Sequence, residues 1–150
     1  MTSAPLQVDM DRPTHGHLSA GERVRIELLD EFEQISLGRL AKVEQLWAEV
    51  SHDPSREAAT TTLLREWHSL KGDARMMGYV SLGQLAQHAE TLVHAARDVG
   101  FQVSPTTSQL MTEIRLTAVR WLRERTEPNA RTSELAPLVE RVGAALLAGV

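Results

Sequence analysis

Cysteine is absent from the 150 residues, which excludes disulfides, thiolate metal sites and thiol nucleophiles. Aromatic residues are few: three tryptophans, two phenylalanines and one tyrosine. That is too little for a β-rich core or a base-stacking surface. A strong charge of one sign is missing as well, since 16 basic residues against 20 acidic ones give a net charge of −4. Nothing in that balance attracts nucleic acid or an anionic membrane as the main partner. The longest apolar stretch, Ala144 to Ala148, falls far short of the roughly 20 residues a membrane helix needs. No signal-peptide core opens the chain, so a cytoplasmic location is expected. Glycine-rich phosphate loops, nucleotide-binding motifs and internal repeats are also lacking, and the chain is too short for an ATP-binding kinase domain with anything beside it.

What is present is ordinary globular composition, 42% hydrophobic and 24% charged, in a length that suits one domain. Residues 1–20 carry Pro5, Pro13 and Gly16 and are expected to be a flexible tail, with His15 and His17 solvated in it. Residues 21–150 are expected to form the domain.

Hydrophobic spacing along that domain has the helical period throughout, and no useful stretch alternates with period two. Over 21–50, Val24, Leu28, Phe32, Ile35, Val43, Leu46 and Val50 fall on one face, widened by Leu29, Leu40 and Trp47. A turn follows at 51–54, where Asp53 and Pro54 suit an N-cap and a first helical position. A second helix, about 54–77, carries the seam Leu63, Trp67, Leu70, Ala74, Met77 and ends at Gly78-Tyr79. Ser81 with Gln84 resembles a capping box opening a third helix, with the seam Leu82, Leu85, Ala89, Leu92, Ala96 and a stop at Gly100. Ser104-Pro105 starts a fourth helix lined by Met111, Ile114, Ala118 and Trp121, which Glu127-Pro128-Asn129 breaks. A fifth, from about 133, places Leu135, Leu138, Val142 and Ala145 or Leu146 on one side. Short connections favour antiparallel neighbours, so the expected fold is all-α: an up-down four-helix bundle with an additional C-terminal helix.

One segment carries chemistry. His68, Lys71 and Gly72 stand at i, i+3 and i+4, on one helical face. That face lies about 100° from Trp67 and about 160° from Leu70, beside the seam rather than in it, so the imidazole is expected at the rim of the bundle. Glycine inside a helix costs about 1 kcal/mol relative to alanine, a cost that leaving room for a large partner would explain. Lys71 offers a positive charge one turn from the ring, suited to a phosphoryl group, and Arg75 extends the strip. A bare histidine and lysine at this spacing is also common on ordinary helix surfaces.

The stretch Leu63 to Val93 resembles the histidine-containing phosphotransfer (HPt) domain, closest to the N-terminal phosphoacceptor module of chemotaxis histidine kinases of the CheA type. The residues that carry the resemblance are His68, Lys71, Gly72, Ala74, Gly78-Tyr79 and Glu90. The second and third helices match strongly, the first in pattern, and the last two only in kind. The resemblance implies that His68 accepts and donates a phosphoryl group, that Lys71 interacts with its oxygens, and that Gly72 leaves space for the partner. It implies that Glu90 accepts a hydrogen bond from the ring and activates it, in the manner of a catalytic triad. Implied partners are a sensor histidine kinase and the receiver domain of a response regulator, which supplies the accepting aspartate.

Three positions depart from the family pattern. Asp73 replaces a small residue, about 140° round from His68. Arg75 is bulkier than usual and, with Gly72 and Gln87, is expected at the docking surface. Gln87 stands where many chemotaxis modules carry a second histidine; it can hydrogen-bond but not titrate. The expected function is a phosphocarrier, not an enzyme, that needs no cofactor and acts as a monomer. The end at Val150 without kinase or dimerisation segments favours a stand-alone relay protein over a detached kinase domain. The alternative is a helical interaction module that binds a receiver or kinase without carrying phosphate. A metal-binding bundle using Glu90, His94 and His88 is disfavoured, because the Glu-x-x-His pairs such a site wants are absent.

Overall fold

A computed structural model describes residues 18–125 and 131–150. His15 and His17, most of the expected tail and the break at 127–129 lie outside the described residues. The described chain forms five helices: α1 (Ala20–His52), α2 (Glu57–Met76), α3 (Val80–Asp98), α4 (Pro105–Glu124) and α5 (Thr132–Ala148). Among the described residues there is no strand, as the absence of period-two patterning requires. The chain divides into two compact units, Met1–Glu31 and Phe32–Val150.

In the first unit, the start of α1 is capped by Ser19, whose Oγ accepts from the Glu22 amide at 3.1 Å. Val24 and Leu28 are 54% and 50% exposed, contrary to the expectation that they share a buried face. Among the described residues of this unit α1 is the only element, so no second helix of the unit covers that face.

In the second unit, α1 buries Phe32, Ser36, Leu40, Val43, Leu46 and Val50. Ile35 is exposed, correcting the expected stripe: it lies about 60° round from Phe32, and Ser36 takes the inward place. The α2 seam is buried at Leu63, Trp67, Leu70 and Ala74, with Met77 half-buried, and the α3 seam is buried throughout. Each large side chain so buried contributes about 1.5–3 kcal/mol. Met111, Ile114, Ala118 and Trp121 line α4 inwardly, and Leu135, Leu138 and Val142 line α5, while Leu146 is exposed. Ion pairs fix the directions. Arg39 of α1 meets Glu66 and Asp73 of α2, and Glu44 meets Arg115 of α4. Further along, Arg141 of α5 meets Glu113 and Glu134 meets Arg120. The two α4–α5 pairs run in opposite order along their helices, so α4 and α5 are antiparallel.

Helix ends explain the remaining differences from the sequence. Asp53 does not cap α2. Its Oδ1 accepts from the amide and hydroxyl of Ser55, at 3.2 and 2.6 Å, forming a local turn that delays the helix to Glu57. The Ser81 box does not form either; α3 starts at Val80 without a side-chain cap, and Ser81 is buried. Ser104 caps α4 as expected, accepting from the Thr107 amide at 3.1 Å, with Pro105 behind it. Gly78 (φ 80°) and Gly100 (φ 62°) occupy the left-handed region. There the next residue's amide can return to the helix: Tyr79 to the Ala74 carbonyl and Phe101 to Ala96, both at 2.8 Å. The first of these turns sets the register in which α3 folds back along α2.

Candidate functional site

Because α2 and α3 are antiparallel, α3 partners fall in number as α2 residues rise. His68 faces Glu90, Lys71 faces Gln87, and Arg75 faces Gly83. His68, Lys71 and Arg75 thus each meet a particular residue of α3 across one crease.

The His68 side chain is 70% exposed, whereas that of Glu90 is 13% exposed. His68 Nδ1 and Glu90 Oε2 are 3.1 Å apart. A carboxylate only accepts, so the contact needs the proton on Nδ1 and leaves the Nε2 lone pair without a hydrogen-bond partner among the described residues. Glu90 Oε1 accepts from Lys71 Nζ, also at 3.1 Å. One carboxylate therefore holds the ring with one oxygen and the ammonium with the other.

Lys71 differs from its expected place beside the ring on the exposed strip. Its side chain is 11% exposed, because a position three residues on is turned about 60° toward α3. The ammonium donates to Gln87 Oε1 at 2.9 Å and to Glu90, using two of its three N–H groups. Gln87, expected at the docking surface, is half-buried with its carbonyl committed to Lys71. Thr91 steadies that residue: its hydroxyl lies 3.5 Å from Gln87 Nε2 and donates to the Gln87 main-chain carbonyl at 3.0 Å. Thr91 carries no sequence signal beyond its place one turn after Gln87, and the sequence reading missed it.

Gly72 is exposed, and a Cβ built there meets nothing within 4 Å. The helix surface one turn beyond His68 is thus open. Asp73 is paired with Arg39 Nη2 at 3.5 Å, on the α1 side, away from the ring. Arg39 also donates to Glu66 Oε2 at 3.1 Å, so the acid that departs from the family pattern belongs to a contact between α1 and α2. Arg75 is exposed and its stem crosses Gly83, where a Cβ would come within 3.1 Å of Arg75 Cγ. Gly83 was also missed; a buried glycine inside an otherwise continuous α3 seam was the available signal.

Among the described residues no three His, Cys, Asp or Glu side chains come together to hold a metal. Glu90 is taken up by His68 and Lys71, His94 is exposed, and burial pushes the half-buried His88 ring below the ordinary histidine value. No helix among the described residues is long and apolar enough to cross a membrane.

Comparison with known proteins gives a match to the Hpt domain family over residues 27–124. The chain is also similar to the "Gliding motility regulatory protein" of Myxococcus xanthus, 31% identical over 97 residues. That alignment takes in 65% of this chain and 12% of the relative, so the chain corresponds to a small part of that protein's length. No solved structure matches the chain significantly.

Proposed function

The chain belongs to the Hpt domain family, the phosphotransfer modules of two-component signalling, and from this premise we propose that it carries a phosphoryl group on His68 Nε2. Members of this family are phosphocarriers rather than kinases, and they interact with kinases and receiver domains. The finer reading is a relay protein that accepts the group from a sensor kinase or phosphorylated regulator and passes it to a receiver aspartate. It acts as a cytoplasmic monomer.

The observation that carries this reading is the contact of His68 Nδ1 with Glu90 at 3.1 Å, on a ring that is 70% exposed. With the proton held on Nδ1, the Nε2 lone pair attacks the phosphorus of a phosphorylated donor. The P–N bond forms as the P–O bond to a donor aspartate, or the P–N bond to a donor histidine, breaks. The bond electrons leave with the donor group. The phosphorylated ring keeps its Nδ1 proton and becomes cationic, and Glu90 offsets that charge. In the return step a receiver carboxylate attacks the phosphorus, the P–N bond breaks, and its electron pair goes back to Nε2. Lys71 fixes Glu90 through one N–H, and its third N–H is available to a phosphoryl oxygen. Gly72 leaves the approach unobstructed.

Incubating the chain with purified sensor kinases of its host and γ-labelled ATP tests the reading. Acid-labile, base-stable label is expected in the wild type and none in His68→Gln. Equal label in both overturns the site, and a partner that binds without any label turns the chain into an interaction module.

A further inference from the structure

Between residues 61 and 76 the exposed positions of α2 are Thr61, Arg65, His68, Gly72, Arg75 and Met76. Two are arginines and none is an acid, on a chain whose net charge is −4. Neither Arg65 nor Arg75 has an ion-pair partner among the described residues, whereas Arg39, Arg115, Arg120 and Arg141 are all paired. The one acid on this stretch that reaches the surface, Asp73, is occupied by Arg39. The phosphoacceptor thus sits between two uncompensated cations.

The position of Arg75 distinguishes it from a phosphoryl-binding group. Arg65 stands about 4.5 Å before His68 along the helix axis and Arg75 about 10.5 Å after it, a span of about 15 Å. Arg75 is held at its end by lying across Gly83, whose missing side chain makes the seat. A guanidinium fixed there addresses whatever covers Gly72, not the atom on Nε2. The span is protein-sized and brackets His68, with Arg65 the nearer end. No aromatic residue is exposed on it, as a single-stranded nucleic acid would want.

We propose that Arg65 and Arg75 are specificity residues that select a partner protein carrying carboxylates on both sides of its phosphorylated aspartate, about 15 Å apart. The proposal rests on the phosphotransfer reading and adds the chemistry of the partner's rim. Charges of this kind act mainly on association rate and its salt dependence, and they reject partners with a cationic rim.

The test uses the full chain and the host's receiver domains, each loaded with beryllofluoride to mimic the phosphorylated aspartate. Association is followed by stopped-flow at low and at high salt. For a cognate receiver the Arg65→Glu/Arg75→Glu double variant is expected to associate roughly ten-fold more slowly at low salt and to lose most of the salt dependence. Arg65→Gln/Arg75→Gln should fall between it and the wild type. Circular dichroism verifies that both variants are folded. Association rates and salt slopes equal to the wild type overturn the proposal. So does binding to anionic phosphatidylserine vesicles that the double variant loses, because the strip would then serve a membrane surface. Failure of the phosphotransfer reading shows separately, as a wild-type His68 that no kinase labels.

Discussion

Lys71 and Glu90 are joined across the α2–α3 crease, Nζ to Oε1 at 3.1 Å, on the same carboxylate whose Oε2 meets His68. The lysine is therefore first a partner of the acid that meets the ring. Gln87, accepting from Nζ at 2.9 Å, fixes the lysine in turn. The His68 ring stands at the end of a chain of neutral and charged hydrogen bonds that begins at Thr91.

Glu90→Gln is expected to slow phosphotransfer to His68 by about a hundred-fold, because an amide carries no charge to offset the phosphorylated ring. It also removes the ion pair of a nearly buried lysine, at a cost of about 1–3 kcal/mol. His68→Gln, at a side chain 70% exposed, should change stability by less than about 0.5 kcal/mol. Rapid-quench transfer assays and thermal unfolding of the two variants check both halves.

Gln87→His should add a pH dependence that the wild type lacks at this position. A neutral imidazole can accept from Lys71 as Gln87 does. Once protonated, at a pKa that the ammonium and partial burial push below the ordinary histidine value, it places a second positive charge against the ammonium. Transfer in the variant is expected to fall as pH drops through that lowered value, beyond any fall in the wild type. Transfer rates between pH 5 and 9 provide the comparison, and superimposable profiles would count against the assignment of Gln87 as the lysine's support.

Gly72 separates stability from docking. Since a Cβ there meets nothing, Gly72→Ala should gain up to about 1 kcal/mol of helix stability, raising the melting temperature by about 2–4 °C. Gly72→Leu should keep the fold while slowing transfer to a receiver at least roughly ten-fold, the side chain occupying the partner's approach. Melting curves and transfer kinetics on the same samples test this.

The α4–α5 contact should be acid-sensitive. Glu134 binds Arg120, accepts from Trp121 Nε1 at 3.2 Å and from Arg131 at 3.0 Å. The Arg120 contact above all holds its carboxyl down at about 2, from an ordinary 4.5. A depressed carboxyl contributes stability that is present above the ordinary value and lost as pH falls toward the folded one. Glu134→Gln should therefore lower the melting temperature at pH 7 and make little difference near pH 2. The side chain is 36% exposed, so solvent screening keeps the effect small.

The helical period made the seams of α2, α3 and α4 legible, because a buried stripe needs apolar residues every three or four positions whatever its partner. Caps were less so. Asp53-Pro54 and Ser81-Gln84 have the residue types of helix starts, yet Asp53 satisfies Ser55 instead and Ser81 is buried inside α3. Competing hydrogen bonds and tertiary burial decided those ends. The stripe on α1 was overread at Val24, Leu28 and Ile35: periodicity does not say whether anything covers a face, and at Ile35 the inward place went to Ser36, a polar residue that an apolar stripe passes over.

The order of residues on α2 determined that a histidine, a gap without a side chain and two arginines would lie outside an apolar seam, for helical geometry alone assigns the faces. What meets that strip from α3 was decided by the fold. The left-handed turn at Gly78 sets which α3 residue stands opposite each α2 residue. It brings Glu90 to the ring, Gln87 to Lys71 and Gly83 beneath Arg75. These pairs lie 22, 16 and 8 residues apart in sequence, beyond the reach of a single helical turn, and only the packing of one helix on the other could bring them together.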